Sequence, residues 1–125
     1  DRMDRVQKMM MREISVILQN DINDPRVRDV TITRVEVTRD LREAKAFYVL
    51  PEEESNKEEV ATGLRHSASF VRKELAERIT LKYIPRISFR EDKKKEREES
   101  VDRLFTKIEE ELGIETDQAE GMDNE

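Results

Sequence analysis

The chain has 125 residues, 35% hydrophobic and 43% charged, which allows one compact domain with a small core and a heavily charged surface. It contains no cysteine, which excludes disulfides, thiolate metal sites and a cysteine nucleophile, and no apolar run approaches the roughly 20 residues that span a bilayer. The net charge of −6 argues against a nucleic-acid partner until its distribution is read: residues 109–125 hold eight acids and no Lys or Arg, leaving +2 on residues 1–108, and setting aside 52–59, with five acids and Lys57, raises the remainder to +6. Local field rather than total charge governs phosphate contact, so a basic face remains available. We expect a soluble cytoplasmic monomer with no membrane partner, and, because the chain opens at Asp1 rather than Met, a short preceding leader.

Residues 1–20 read as a helix. Val6, Met10, Ile14, Ile17 and Leu18 line one face, while Arg2, Arg5, Lys8 and Arg12, spaced three and four apart, form a cationic stripe on another. Asp24-Pro25-Arg26 ends the helix, because Pro lacks an N–H and biases the residue before it toward extended geometry. Residues 30–38 are dense in β-branched side chains and read as a strand. Its alternation slips between Ile32 and Val35, which implies either a bulge or a face of Thr31, Thr33, Val35 and Val37. A polar connection at 39–42 leads to a second strand at 43–50, with Ala44, Ala46, Tyr48 and Leu50 on one side.

An acidic loop at 52–59 precedes residues 56–82, where Val60, Leu64, Val71, Leu75 and Ile79 keep helical spacing and Asn56 and Glu59 have capping-box spacing. Ser67-Ala68-Ser69 thins this stripe. By itself the stretch reads either as one amphipathic helix or as two helices, since serine weakens a helix interior yet caps a helix that restarts. A restart would offer free N–H groups to a phosphate beside Arg65, Arg72 and Lys73. Residues 84–90 form a third strand, with Arg86, Ser88 and Arg90 alternating against Ile87 and Phe89. After a charged block at 91–99, a last helix at about 98–112 carries Val101, Leu104, Phe105, Ile108 and Leu112 and stops at Gly113. The acidic tail, 113–125, has too little apolar content to order.

Little supports catalysis. His66 is the sole histidine, the carboxylates lie in loops or on solvated faces, and Gly63, Gly113 and Gly121 are too dispersed for a phosphate loop, so neither a cofactor nor a metal is expected. The element order instead predicts an α+β fold: a three-stranded sheet with helices on one face, in which an interrupted helix joins strands two and three. That is the arrangement of a type II K-homology domain. One such domain is expected over 1–112, including the appended C-terminal helix.

The chain also resembles the ribosome-binding factor A family over roughly residues 2–110. The likeness lies in Arg5-Val6 with Arg12-Glu13-Ile14-Ser15, in Asp24-Pro25-Arg26, and in Val30-Thr31-Ile32-Thr33 with Val35-Glu36-Val37. It continues in Asp40-Leu41, Ala44-Lys45-Ala46, Phe70-Val71-Arg72-Lys73-Glu74-Leu75, and Pro85-Arg86-Ile87-Ser88-Phe89 with Asp92. The resemblance implies a non-catalytic K-homology-like protein that binds the 16S rRNA of the immature small (30S) ribosomal subunit during late maturation. It also implies an Ala-x-Gly kink between the paired helices, where this chain has Ser67, Ala68 and Ser69, with Ser69 in place of the Gly.

The candidate RNA contacts are therefore Arg65, Ser67, Ala68, Ser69, Arg72 and Lys73 at the break, with Arg2, Arg5, Lys8 and Arg12 as a second basic rim. Arg39 and Arg86, with Arg42 and Arg90, are further candidates at the sheet edge. Aromatics make up 5% of the chain, so little base stacking is expected. Ribosomal proteins are candidate partners too, and the competing reading is a protein-interaction module that docks through its charged helices.

Overall fold

A computed structural model describes residues 1–51 and 56–113, and for 95–97 the backbone alone. Residues 52–55 of the expected acidic loop, and the expected disordered tail from 114 onward, lie outside the described residues. The order of elements is α1 (Arg2–Asn20), β1 (Thr31–Val37), β2 (Glu43–Val49), α2 (Lys57–Arg78), β3 (Arg86–Glu91) and α3 (Lys94–Glu111). Two units separate, Asp1–Asp92 and the segment from Lys93 onward.

The first unit is a three-stranded sheet of order β1-β2-β3. β1 and β2 pair antiparallel as a hairpin, whereas β3 lies parallel to β2. A parallel neighbour needs a long crossover, and α2 supplies it. Met10, Ile14, Ile17 and Leu18 of α1 and Val60, Leu64, Val71 and Leu75 of α2 are buried in one core with Ile32, Val35, Ala44, Ala46, Tyr48 and Ile87 of the sheet. The alanines on the central strand leave room for the helices to lie close. The slip in β1 is a bulge: register shifts between Ile32 and Arg34, so Ile32 and Val35 both face inward and Thr33 is exposed.

The turn after α1 gives the Asp24-Pro25-Arg26 triplet its physical role. Asp24 accepts from the Arg26 amide at 3.0 Å, and its carboxylate receives Arg26 Nε at 3.0 Å and Nη2 at 2.8 Å. This fork closes an Asx turn and seats Val27 fully in the core. Opposite it lies Gly63 of α2, where a Cβ would meet Val27 Cγ1 at 3.0 Å and Arg26 Cβ at 3.2 Å. The glycine is therefore what lets α2 approach the turn. Arg78 at the far end of α2 joins Glu13 and Asp21 of the α1 region and Glu74 of its own helix.

The interruption of α2 is not there. Asn56 caps the helix as expected, accepting from the Glu59 amide at 3.1 Å, but the helix then runs unbroken from Lys57 to Arg78. Ser67 explains why. It is buried between Leu64 and Val71, and its hydroxyl donates at 2.8 Å to the carbonyl of Gly63, one turn earlier. A serine hydroxyl that bonds the carbonyl one turn back is satisfied within a continuous helix at a slight cost to helix stability, and its small side chain suits the close packing on that face.

In the second unit, α3 begins earlier than its apolar residues predicted, within the charged block, and has no side-chain cap. Gly113 ends it with a φ of 75° and an amide that donates to Glu110 O at 3.2 Å. Val101, Leu104, Phe105 and Ile108 share the expected face, and all are exposed.

Candidate nucleic-acid interface

The basic residues that the sequence groups around a helix break are separated by the structure into three places. The first is a groove of about 470 Å³ between α2 and β3. Ala61, Arg65 and Ala68 contribute from α2, since residues three and four apart share a helix face. Ser88 and Arg90 contribute from β3, and Tyr48, Ile87 and Phe89 supply apolar lining. Arg65 and Arg90 thus flank a trough that Ala68 keeps open. Arg65 Nη2 donates to Thr62 Oγ1 at 3.1 Å, which steadies its guanidinium. The Tyr48 phenol titrates above its ordinary value, first because burial disfavours the phenolate and then because Glu91 is near.

Two corrections follow for the residues expected at the break. Ser67 is buried and its hydroxyl is committed to Gly63, so it is not presented at the surface as the reading of a break expects. Ser69 is exposed, but with α2 continuous its amide belongs to the helix interior and offers no helix N-terminus to a phosphate. Lys73 is exposed on the same helix.

The second place is the end of the sheet where the β1–β2 turn meets the segment leading into β3. Arg72 reaches here instead of lying at a helix start: Nε and Nη2 donate to the Ile84 carbonyl at 3.1 and 2.9 Å. It lines a cleft of about 370 Å³ with Arg42, Tyr83, Ile84 and Arg86. An adjoining recess of about 610 Å³ adds Thr38, Arg39, Asp40 and Glu43. Asp40 organises the turn by accepting from Thr38 Oγ1 at 2.8 Å and from the Arg42 amide at 3.1 Å. Those two bonds, the hydroxyl's first, hold its carboxyl below the ordinary carboxylate value. Leu41 takes a left-handed φ of 62° to close the turn, so Arg39 and Arg42 are set by a tightly specified backbone.

The third place is α1. Arg2, Arg5, Lys8 and Arg12 are all exposed, and Lys8 and Arg12 line a recess of about 520 Å³ with Asp4, Gln7, Met11 and residues Thr33, Arg34 and Val35 of β1. Gln7 Oε1 accepts from the Val37 amide at 2.9 Å and ties the helix to the edge strand. Arg34, absent from the sequence candidates, stacks its guanidinium 3.7 Å from the Phe47 ring centroid and lies 3.5 Å from Asp92. Asp92 also accepts from Thr33 Oγ1 at 2.6 Å, which links β1 to the end of β3. Neither Arg34 nor Tyr83 carried a sequence signal beyond its type, because what distinguishes them is a neighbour remote in the chain. Among the described residues, no three His, Asp or Glu side chains gather where they could hold a metal ion.

A parallel-antiparallel three-stranded sheet, one crossover helix and a basic groove beside the edge strand define a K-homology-like domain. The family model described as "Ribosome-binding factor A" matches residues 2–105, and the chain belongs to that family. It is 43% identical over 101 residues to ribosome-binding factor A of Nitrosomonas europaea, covering 81% of this chain and 86% of the relative. The factor of Syntrophobacter fumaroxidans is 40% identical over 109 residues, covering 86% and 93%. The fold is similar to the crystal structure of ribosome-binding factor A from Thermus thermophilus, with a TM-score of 0.64 at 20% identity over 71% of this chain and 94% of that one. It is also similar to a Thermus thermophilus homology model of that factor fitted into a cryo-electron microscopy map of its complex with 30S, with a TM-score of 0.57 at 20% identity over 69% and 90%.

Proposed function

We propose that this protein is a non-catalytic assembly factor that binds the immature small ribosomal subunit through phosphates of its 16S rRNA and assists late maturation. The observation that carries the reading is the pairing of Arg65 and Arg90 across the open α2–β3 groove, with Ala68 between them. Two guanidinium groups flanking a trough with apolar lining suit a single strand, the phosphates meeting the arginines and the sugars and bases lying over the half-buried Phe89. Family membership and the 30S complex of the Thermus thermophilus factor support the choice of partner. The exposed stripe of Arg2, Arg5, Lys8 and Arg12 adds positive field without sequence readout.

The test is Arg65→Glu combined with Arg90→Glu, titrated against purified immature small subunits at several salt concentrations. Both side chains line the groove rim rather than the core, so the fold is expected to survive. Affinity is expected to fall at least about tenfold, and the salt slope to shrink by roughly 1.4, about 0.7 for each single-strand phosphate that is no longer neutralised. Binding that ignores both the reversal and ionic strength refutes the reading and favours docking on a protein.

A further inference from the structure

We propose that the cleft between the β1–β2 turn and the segment entering β3 binds one nucleotide of single-stranded RNA, its phosphate among Arg42, Arg72 and Arg86 and its base on the ring of Tyr83. The proposal rests on the reading that the partner is RNA, and it adds an exposed stacking ring to an interface whose groove offers phosphate contacts and the half-buried Phe89.

Three arginines line one cleft of about 370 Å³, a size within the ordinary range for small-ligand sites. Arg72 is the fixed member. Its two bonds to the Ile84 carbonyl set the plane of the guanidinium, while the remaining N–H donors stay available. Arg42 and Arg86 are the adaptable ones. Their contacts to Asp40 and Glu43 are both 3.8 Å long, and all four side chains are well exposed, so these ion pairs are weak and a phosphate can displace them.

Tyr83 supplies the second, independent feature. Tyr83 is 57% exposed in a chain with few aromatics, and Lys82 Nζ lies 5.5 Å from its ring centroid. A cation over one face of a ring leaves the other face for a flat π-system. An exposed aromatic beside guanidinium groups is the combination that holds single-stranded nucleic acid, the charges meeting the backbone and the ring meeting the base. A purely acidic protein segment would use the arginines and leave the ring without a role.

The probe is a six-nucleotide single-stranded oligoribonucleotide, titrated into the full chain by anisotropy and by intrinsic tyrosine emission. The chain has no tryptophan and two tyrosines, of which Tyr48 is buried beside the α2–β3 groove, so the part of the quench that Tyr83→Phe removes reports a base stacked on Tyr83. Wild-type emission is expected to be quenched at saturation. Tyr83→Phe is expected to abolish the quench yet keep affinity within about twofold, because the stacking face survives. Tyr83→Leu is expected to weaken binding roughly five- to a hundredfold, and Arg42→Ala with Arg86→Ala to lower the salt slope by about 0.7.

An unquenched complex overturns the proposal, and so does a Tyr83→Leu variant that binds as wild type. Binding of poly-glutamate as tightly as the oligonucleotide, with no dependence on Tyr83, overturns it in favour of an acidic protein ligand. Failure here is separable from failure of the groove reading. If Arg65→Glu with Arg90→Glu still abolishes subunit binding while Tyr83→Leu changes nothing, the groove stands and the cleft alone is refuted.

Discussion

The continuity of α2 through Ser69 predicts the stability ranking of an Ala, Ser and Gly series at that position. Ser69 is exposed and lies well inside a helix running from Lys57 to Arg78, so packing contributes little and intrinsic preference dominates. In a helix interior Gly is less favourable than Ala by about 1 kcal/mol, with Ser between them. In a domain of this size about 1 kcal/mol moves the melting temperature by roughly 4–8 °C. Thermal melts followed by circular dichroism should therefore rank Ser69→Ala above wild type and wild type above Ser69→Gly, with the extremes about 4–8 °C apart. The opposite geometry makes the opposite prediction. At a break with a left-handed residue, Gly is the favoured side chain and Ala is strained. A Ser69→Gly variant as stable as wild type, or more so, would refute the continuous helix and restore a kink of the kind the family resemblance implies.

Ser67→Ala should leave RNA affinity unchanged and alter stability by no more than about 1 kcal/mol, because the missing hydrogen bond is offset by better helix propensity and the Gly63 carbonyl keeps its place in the helix ladder; a selective loss of affinity in the oligonucleotide titration would contradict its burial. Gly63→Ala gains about 1 kcal/mol of helix propensity but forces a Cβ to 3.0 Å from the fully buried Val27, an overpacking that costs about 1–3 kcal/mol, so a net loss is expected on urea denaturation. Adding Val27→Ala should make the pair more stable than the sum of the single changes; additivity would show that the turn yields freely. Asp24 has a carboxyl held below its ordinary value, first by the Arg26 side chain and then by the Arg26 amide. The stability it contributes is present above the unfolded value of about 3.9 and disappears as pH falls through the lowered folded value. Melting curves of wild type and Asp24→Asn should accordingly differ at neutral pH and converge in strong acid.

Much of this fold is legible without coordinates because hydrophobic period reports local geometry directly. The inward rows of β2 and α2 are at the positions that their alternation and helical spacing require, and Asn56 caps where a capping residue stands before a periodic run. The slip in β1 could be read as an irregularity but not as a particular one; the bulge was selected by the need to bury both Ile32 and Val35 against the helices. Ser67 misled for a related reason. Serine type is compatible with a helix break and with a buried residue bonded to its own helix, and only the space between α2 and the core distinguishes them.

The candidate arginines divide along the same line. That Arg65, Arg72, Arg86 and Arg90 exist, and that the acidic charge is confined elsewhere, is written in the chain. Which of them act together is not: Arg65 joins Arg90 across a groove, while Arg72 leaves its helical neighbours to join Arg42 and Arg86 beside Tyr83. The sequence by itself determined the elements, their order, the α+β class and the family, because each is encoded in periodicity, turn residues and ordered motifs within short reach. Tertiary structure alone decided the continuity of α2, the burial of Ser67 and the grouping of the basic side chains. Those depend on contacts between residues far apart in the chain, and a one-dimensional pattern does not carry their distances.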